Sequence, residues 1–282
     1  MIDDIAGVTK CQGNSVVLNS IINAKIESRK LEFNQKKCMN MHVGPNKQNC
    51  PRLKIHEKEM LETETQRYLG DIISSTGNNA ENIKERCNIG HSTISQIKSL
   101  MKDVSMGKYS IQIGLIFRDS ILVSKMLLNS EVWHGVTKSQ VNQLEIIDKI
   151  LLRYIFDAHP KTGIEWLYSD AGKLNMGSLL QIRRLMYLWH ILSRDENELI
   201  RRVYTTQKLS SNNGDWIGLV TQDKQQLGID MSDEEIQGVS KGVFKRYVTT
   251  KVKNNVLQYL RDKKRKHSKT INLKCNELKT AE

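Results

Sequence analysis

The sequence predicts a mainly α-helical protein with a small α/β portion at its N-terminal end. Three observations carry this. Only 3 of the 282 residues are proline, so few positions forbid a helix interior. Apolar residues recur at helical spacing densely from about 79 to 193, the mark of helices with one buried face. Stretches that read as strands, bounded by glycines and a proline-containing loop, are confined to the first 77 residues.

In chain order, SVVLNSIINAKI (15–26) reads as a short helix and LEFNQKKCMNMHVG (31–44) as a strand. PNKQNCPR holds two of the three prolines and is a break, and RYLGDIISSTG (67–77) is a strand or hairpin with glycine turns. Asn78 or Asn79 can then cap a helix beginning near Glu81. Its apolar stripe is Ile83, Cys87, Ile94, Ile97, Met101 and Val104, with a break expected near Gly90 and an end at Gly107. A second helix is expected over about 109–130. A third, over 138–156, carries Val141, Leu144, Ile147, Leu151 and Ile155 on one face. AHPKTG breaks the chain, a fourth helix covers about 177–193, and LSSNNGDWIG reads as a loop. Segment 239–264 reads as an amphipathic basic helix, with Val239, Val243, Tyr247, Val248, Val252, Val256 and Leu260 on one side and Lys and Arg elsewhere.

The formal net charge is +12, and residues 241–282 alone account for +10 of it. Clustered cations seek polyanions, driven by counterion release. The candidates for phosphate contact are Lys245, Arg246, Lys251, Lys253, Arg261, Lys263, Lys264 and Arg265. The five cysteines are scattered with no C-x-x-C pair, which suggests neither a disulfide framework nor a zinc ribbon. Cys38/His42 and Cys87/His91 have i, i+4 spacing, but zinc needs four convergent ligands. The N-terminus does not read as a secretory signal. The most apolar stretch, IQIGLIFRDSILVSKMLLNS, is interrupted by Arg118, Asp119 and Lys125 and reads as a buried helix rather than a membrane span. The expected setting is intracellular, nuclear or cytoplasmic, without a membrane partner.

Asp3 and Asp4 stand side by side within an apolar flank. Such a pair is a turn or a solvated terminus, or a tight hairpin offering two carboxylates to Mg²⁺, which takes one or two carboxylates plus phosphate oxygens. Taken in order, Asp3-Asp4, Phe33-Asn34-x-x-Lys37, Tyr68-Leu69-Gly70 and the Glu131-x-Trp133 to Arg153 stretch, followed by WLYSDAGKLNMGSLLQIRRLMYLWHIL and NNGDWIGLV, resemble the C-terminal part of a reverse transcriptase from a retrotransposon lacking long terminal repeats. The resemblance covers about residues 1–240.

It implies an RNA-directed DNA polymerase that uses Mg²⁺ and holds an RNA and DNA template-primer duplex. It matches Asp3 and Asp4 to the metal-presenting aspartates of the palm. Lys37 matches a lysine that protonates the leaving pyrophosphate, with a solvated strand lysine as the alternative. Tyr68, Leu69 and Gly70 match the hairpin that grips the primer. The implied organisation is a palm remnant (1–77), a thumb-like region (78–165), a post-thumb helical region (166–240) and a basic helix and tail (241–282). A two-metal site needs ligands bridging both ions, and the family's further palm carboxylate has no match here. The expectation is therefore a fragment that is inactive by itself. A non-catalytic nucleic-acid binder and a helical interaction scaffold are the rival readings.

Overall fold

The computed structural model describes residues 6–9, 12–31, 34, 38–43, 52–55, 58–103, 110–210 and 214–279; for Gln12, Asp103, Ile164 and positions 263–279 it describes the backbone alone. The fold is mainly helical with short two-stranded pairings. It divides into two compact units, Met1–Glu85 and Arg86–Glu282. Asp3, Asp4, Lys37, Val104, Gly107 and most of the expected loop at 45–52 lie outside the described residues.

The first unit opens with α1 (Gln12–Ser28). Lys30 ends it in the left-handed region at φ 54°, with Leu31 N–H donating to the Ile26 carbonyl and Lys30 N–H to that of Glu27. This is the paired closure that a glycine usually makes. Asn19 and Asn23 donate to the Lys54 carbonyl at 2.8 and 3.0 Å, tying α1 to β2 (Lys54–Ile55), which pairs antiparallel with β3 (Lys58–Glu59). The long strand expected over 31–44 reduces, among the described residues, to β1 (Met39–Asn40), parallel to β4 (Leu61–Glu62). A true hairpin follows: β5 (Thr65–Tyr68) against β6 (Asp71–Ser74), in the register Tyr68 to Asp71 and Thr65 to Ser74. This unit exposes many large apolar side chains, among them Val8, Val17, Ile21 and Leu61.

Among its described residues, the second unit holds helices and no strand. α2 (Ala80–Asp103) runs without interruption through Gly90, where the apolar stripe was expected to break. A Cβ at Gly90 would lie 2.8 Å from Ile147 and 2.9 Å from Met126; the residue is a point of close helix contact. Gly90→Ala is expected to overpack this contact and destabilise by about 1–3 kcal/mol, read as a lowered urea midpoint with unchanged m-value.

The second expected helix is shorter and uneven. α3 (Ser110–Phe117) passes into a π-helical stretch, Arg118–Val123, and then a final turn, α4 (Ser124–Met126). Asn129, at φ 55°, turns the chain into a 3₁₀ turn at Ser130–Val132. α5 (Lys138–Ile155) starts at a Thr137/Gln140 capping box and buries Leu144, Ile147, Leu151 and Ile155 as read from its periodicity. α6 (Ile164–Ala171) and α7 (Met176–Leu192) follow, then α8 (Leu199–Leu209). Residues 216–218, read as loop, already belong to α9 (Trp216–Leu227), because Asp215 accepts the Gly218 N–H and starts the helix. α10 (Asp233–Gly238) and α11 (Lys241–Lys279) complete the chain. One apolar cluster runs from Leu185 and Leu188 through Tyr204, Trp216, Val220 and Ile236 to Phe244, Val248 and Val252. α11 thus begins as part of this body.

Two arginine–aspartate pairs are buried among the described residues of the second unit. Arg118 donates Nε and Nη2 to the two Asp148 oxygens at 2.8 and 2.6 Å, Nη1 to Asp119 at 2.8 Å and Nη2 also to the Leu174 carbonyl at 2.8 Å. The Tyr168 hydroxyl donates to Asp148 at 2.7 Å. The second is Arg184 with Asp223, whose other oxygen accepts from Gln181 at 3.2 Å. Among the described residues, no helix is long and apolar enough to cross a membrane.

Candidate nucleic-acid interface

α11 is the best-defined candidate surface. No acidic residue occurs from Lys241 to Arg261. Phe244, Val248 and Val252 recur at four-residue spacing and are almost fully buried, at 1%, 0% and 1% exposure. They turn one side of the helix toward the apolar cluster. Opposite that side run Arg246, Thr250, Lys253, Leu257 and Arg261, all exposed; at about 100° per residue they form one line along the helix. Lys245 is exposed beside the line. Lys241 sits in the first turn, where a cation meets the positive end of the helix dipole. The charge is therefore not arranged for the stability of the helix itself.

Not every expected cation faces outward. Lys251 donates Nζ to the Gly228 carbonyl at 2.8 Å and lies 5.5 Å from the Tyr247 ring centroid. Gly228, at φ 58°, is the left-handed cap of α9, so Lys251 neutralises the negative end of that helix. Lys263, Lys264 and Arg265 belong to α11, but their side chains lie outside the described residues. The expected apolar stripe holds at Val248 and Val252 but not at its start: Val243 is 51% exposed, and Phe244 takes its place. Val239 precedes the helix, and its carbonyl accepts the Trp189 Nε1–H at 2.9 Å. Asn255, donating to the Gln226 carbonyl at 3.2 Å, is a further anchor that the sequence reading missed.

Tyr68, Leu69 and Gly70 form the tip of the β5–β6 hairpin. Leu69 and Gly70 are the two loop residues, at φ 46° and 88°. Two positive φ values in a two-residue loop make a type I′ turn, where Asn-Gly is the usual choice. Leu69 holds this strained backbone with its side chain 63% exposed, while Tyr68 is half-buried. Asn82, only 2% exposed, fixes the hairpin. Its Oδ1 accepts the Ile72 N–H at 3.2 Å, and its Nδ2 donates to Asp71 at 3.1 Å.

Neither a family model, nor a curated protein, nor a solved structure matches this chain.

Among the described residues no group of three or more His, Cys, Asp or Glu is placed to hold a metal ion. Burial pushes the Cys38 and Cys87 thiols above their ordinary range, which disfavours the thiolate that zinc requires. Trp133, Leu144, Ile147 and Leu151 are core residues.

Proposed function

We propose that this chain is a nucleic-acid-binding part of an RNA-directed DNA polymerase of the non-LTR retrotransposon kind, and that by itself it holds nucleic acid without catalysing nucleotidyl transfer. The observation that supports binding is the acid-free outer line of α11, with Arg246, Lys253 and Arg261 exposed opposite a packed apolar face. Cations in a line meet phosphates along a backbone and read no base edges; the binding is therefore tolerant of sequence. The polymerase descent rests on the order of the motifs from Asp3-Asp4 to NNGDWIGLV. In that reading Asp3 and Asp4 would hold Mg²⁺, which supplies charge neutralisation at a transferring phosphoryl group. Two adjacent carboxylates fall short of the ligands that two bridged ions require, so the reading assigns this chain no catalytic step.

Fluorescence anisotropy with labelled RNA and DNA tests the binding. The Arg246→Ala/Lys253→Ala double variant is expected to lower the slope of log affinity against log salt by about 2, close to 0.9 per lost phosphate contact. No binding by the unaltered chain would leave the scaffold reading. In a primer-extension assay with Mg²⁺ or Mn²⁺ the 282-residue chain is expected to add no nucleotide. Template-dependent extension abolished by Asp3→Ala would overturn the non-catalytic part of the proposal.

A further inference from the structure

α11 changes character along its length. Up to Asn255, one side of it is taken up by packing: Phe244, Val248 and Val252 are buried, and Lys251 and Asn255 bond back to the carbonyls of Gly228 and Gln226. Past Asn255 no described side chain of the helix is buried. Leu257 is 49% and Tyr259 55% exposed, Gln258, Arg261 and Asp262 are exposed, and Val256 and Leu260 are half-buried. The backbone stays helical to Lys279, so the portion from Val256 onward is a rod about 36 Å long at ~1.5 Å per residue.

The distribution of charge changes at the same place. Upstream, Arg246 and Lys253 share the outer line, and no turn of the helix holds more than two cations. In the rod, Arg261 is followed by four consecutive cations, Lys263 to Lys266. Four successive positions circle an α-helix once, so the sequence places a cation on every side of this turn of the backbone. A flat polyanionic surface neutralises one side of such a rod and leaves the other sides repelling one another. A groove walled by phosphates on both flanks neutralises all of them. An α-helix with its side chains is about 10–12 Å across, and the major groove of B-form DNA is about 12 Å wide. The major groove of A-form RNA is too deep and narrow to admit it.

We propose that Val256–Lys279 of α11 lies in the major groove of duplex DNA, held by phosphates of both strands. This rests on the nucleic-acid-binding reading above and adds the kind of nucleic acid and the groove. Cations three and four positions apart repel along the free rod, and phosphate contact relieves that repulsion; DNA binding therefore raises helicity.

The test uses the full chain with one 20-base-pair sequence as DNA duplex, RNA duplex and single strands, in anisotropy at about 0.1 M salt. The DNA duplex is expected to bind at least tenfold more tightly than the RNA duplex. Two double variants probe the two sides of the rod: Arg261→Gln/Lys264→Gln and Lys263→Gln/Lys266→Gln. Both are expected to weaken DNA binding, each by roughly 10- to 100-fold, because both groove walls are contacted. Guanine N7, which lies in the major groove, is expected to be protected from methylation by dimethyl sulfate. Equal affinity for RNA and DNA duplexes, an unchanged affinity in either variant, or unprotected N7 would overturn the groove assignment and leave the broader binding reading standing. No binding to any of the nucleic acids would overturn both.

Discussion

Replacing Asp148 with asparagine is expected to cost about 3–5 kcal/mol of unfolding free energy. Asp148 is 0% and Arg118 1% exposed, and two hydrogen bonds join them. Burial works against the Arg118 charge, but its hydrogen bond and Coulombic attraction to Asp148 outweigh this and push its pKa up. The guanidinium therefore stays charged, and the amide leaves that buried charge with only the exposed Asp119 carboxylate beside its Nη1. Burial, and after it the Asp148 charge, also holds the Tyr168 hydroxyl above its ordinary range, so it remains a donor at every working pH. Tyr168→Phe, removing one donor from the buried carboxylate, should cost about 2 kcal/mol. A double replacement, Arg118→Met with Asp148→Leu, should recover most of the loss, because it removes both charges together. Urea unfolding followed by circular dichroism gives all three numbers. A loss below about 1 kcal/mol for Asp148→Asn would mean that water reaches the pair and screens it.

Salt should govern nucleic-acid binding. If about six phosphates are neutralised, affinity falls roughly a thousandfold between about 50 and 200 mM salt. Deleting residues 261–282 removes eight Lys and Arg and three acidic residues. It should abolish a large part of that slope, since the first 240 residues carry only +2. Anisotropy of the full and shortened chains across one salt series measures this directly. A slope unchanged by the deletion would move the main contact to another face of the helical unit.

The helical pattern was readable where a single face is buried. α5 shows this best: Leu144, Ile147, Leu151 and Ile155 all face inward as their spacing requires. The basic helix was also readable, yet the phase of its first turn was not. Val243 and Phe244 each continue an apolar row through Tyr247 or Val248, and only the packing decides for Phe244. Gly90 reads as a gap in the apolar stripe of α2, whereas its role depends on how closely Ile147 and Met126 approach. The partnership of Arg118 and Asp148 spans thirty residues, and no local pattern announces which buried charge will meet which. Lys251 looked like one more surface cation; the α9 cap that claims it lies 23 residues away. Of the candidate contacts, Lys245, Arg246, Lys253 and Arg261 are exposed as the sequence reading expected. Leu69 in a type I′ turn breaks the turn-residue preference, so Gly70 marked the turn while its type stayed hidden.

The π-helical stretch Arg118–Val123 has a consequence for insertions and deletions. A π turn holds one residue more than the helix on either side needs, so it absorbs a surplus residue while Gly114 stays pressed against Ile155 and Met126 against the Gly90 position. Excising that surplus at exposed Ser120 would restore regular winding and leave both flanks facing their partners. Excising a residue from the regular turns on either side would instead rotate one flank by about 100° relative to the other. Within this segment a one-residue deletion is therefore tolerated in the π stretch and not beside it.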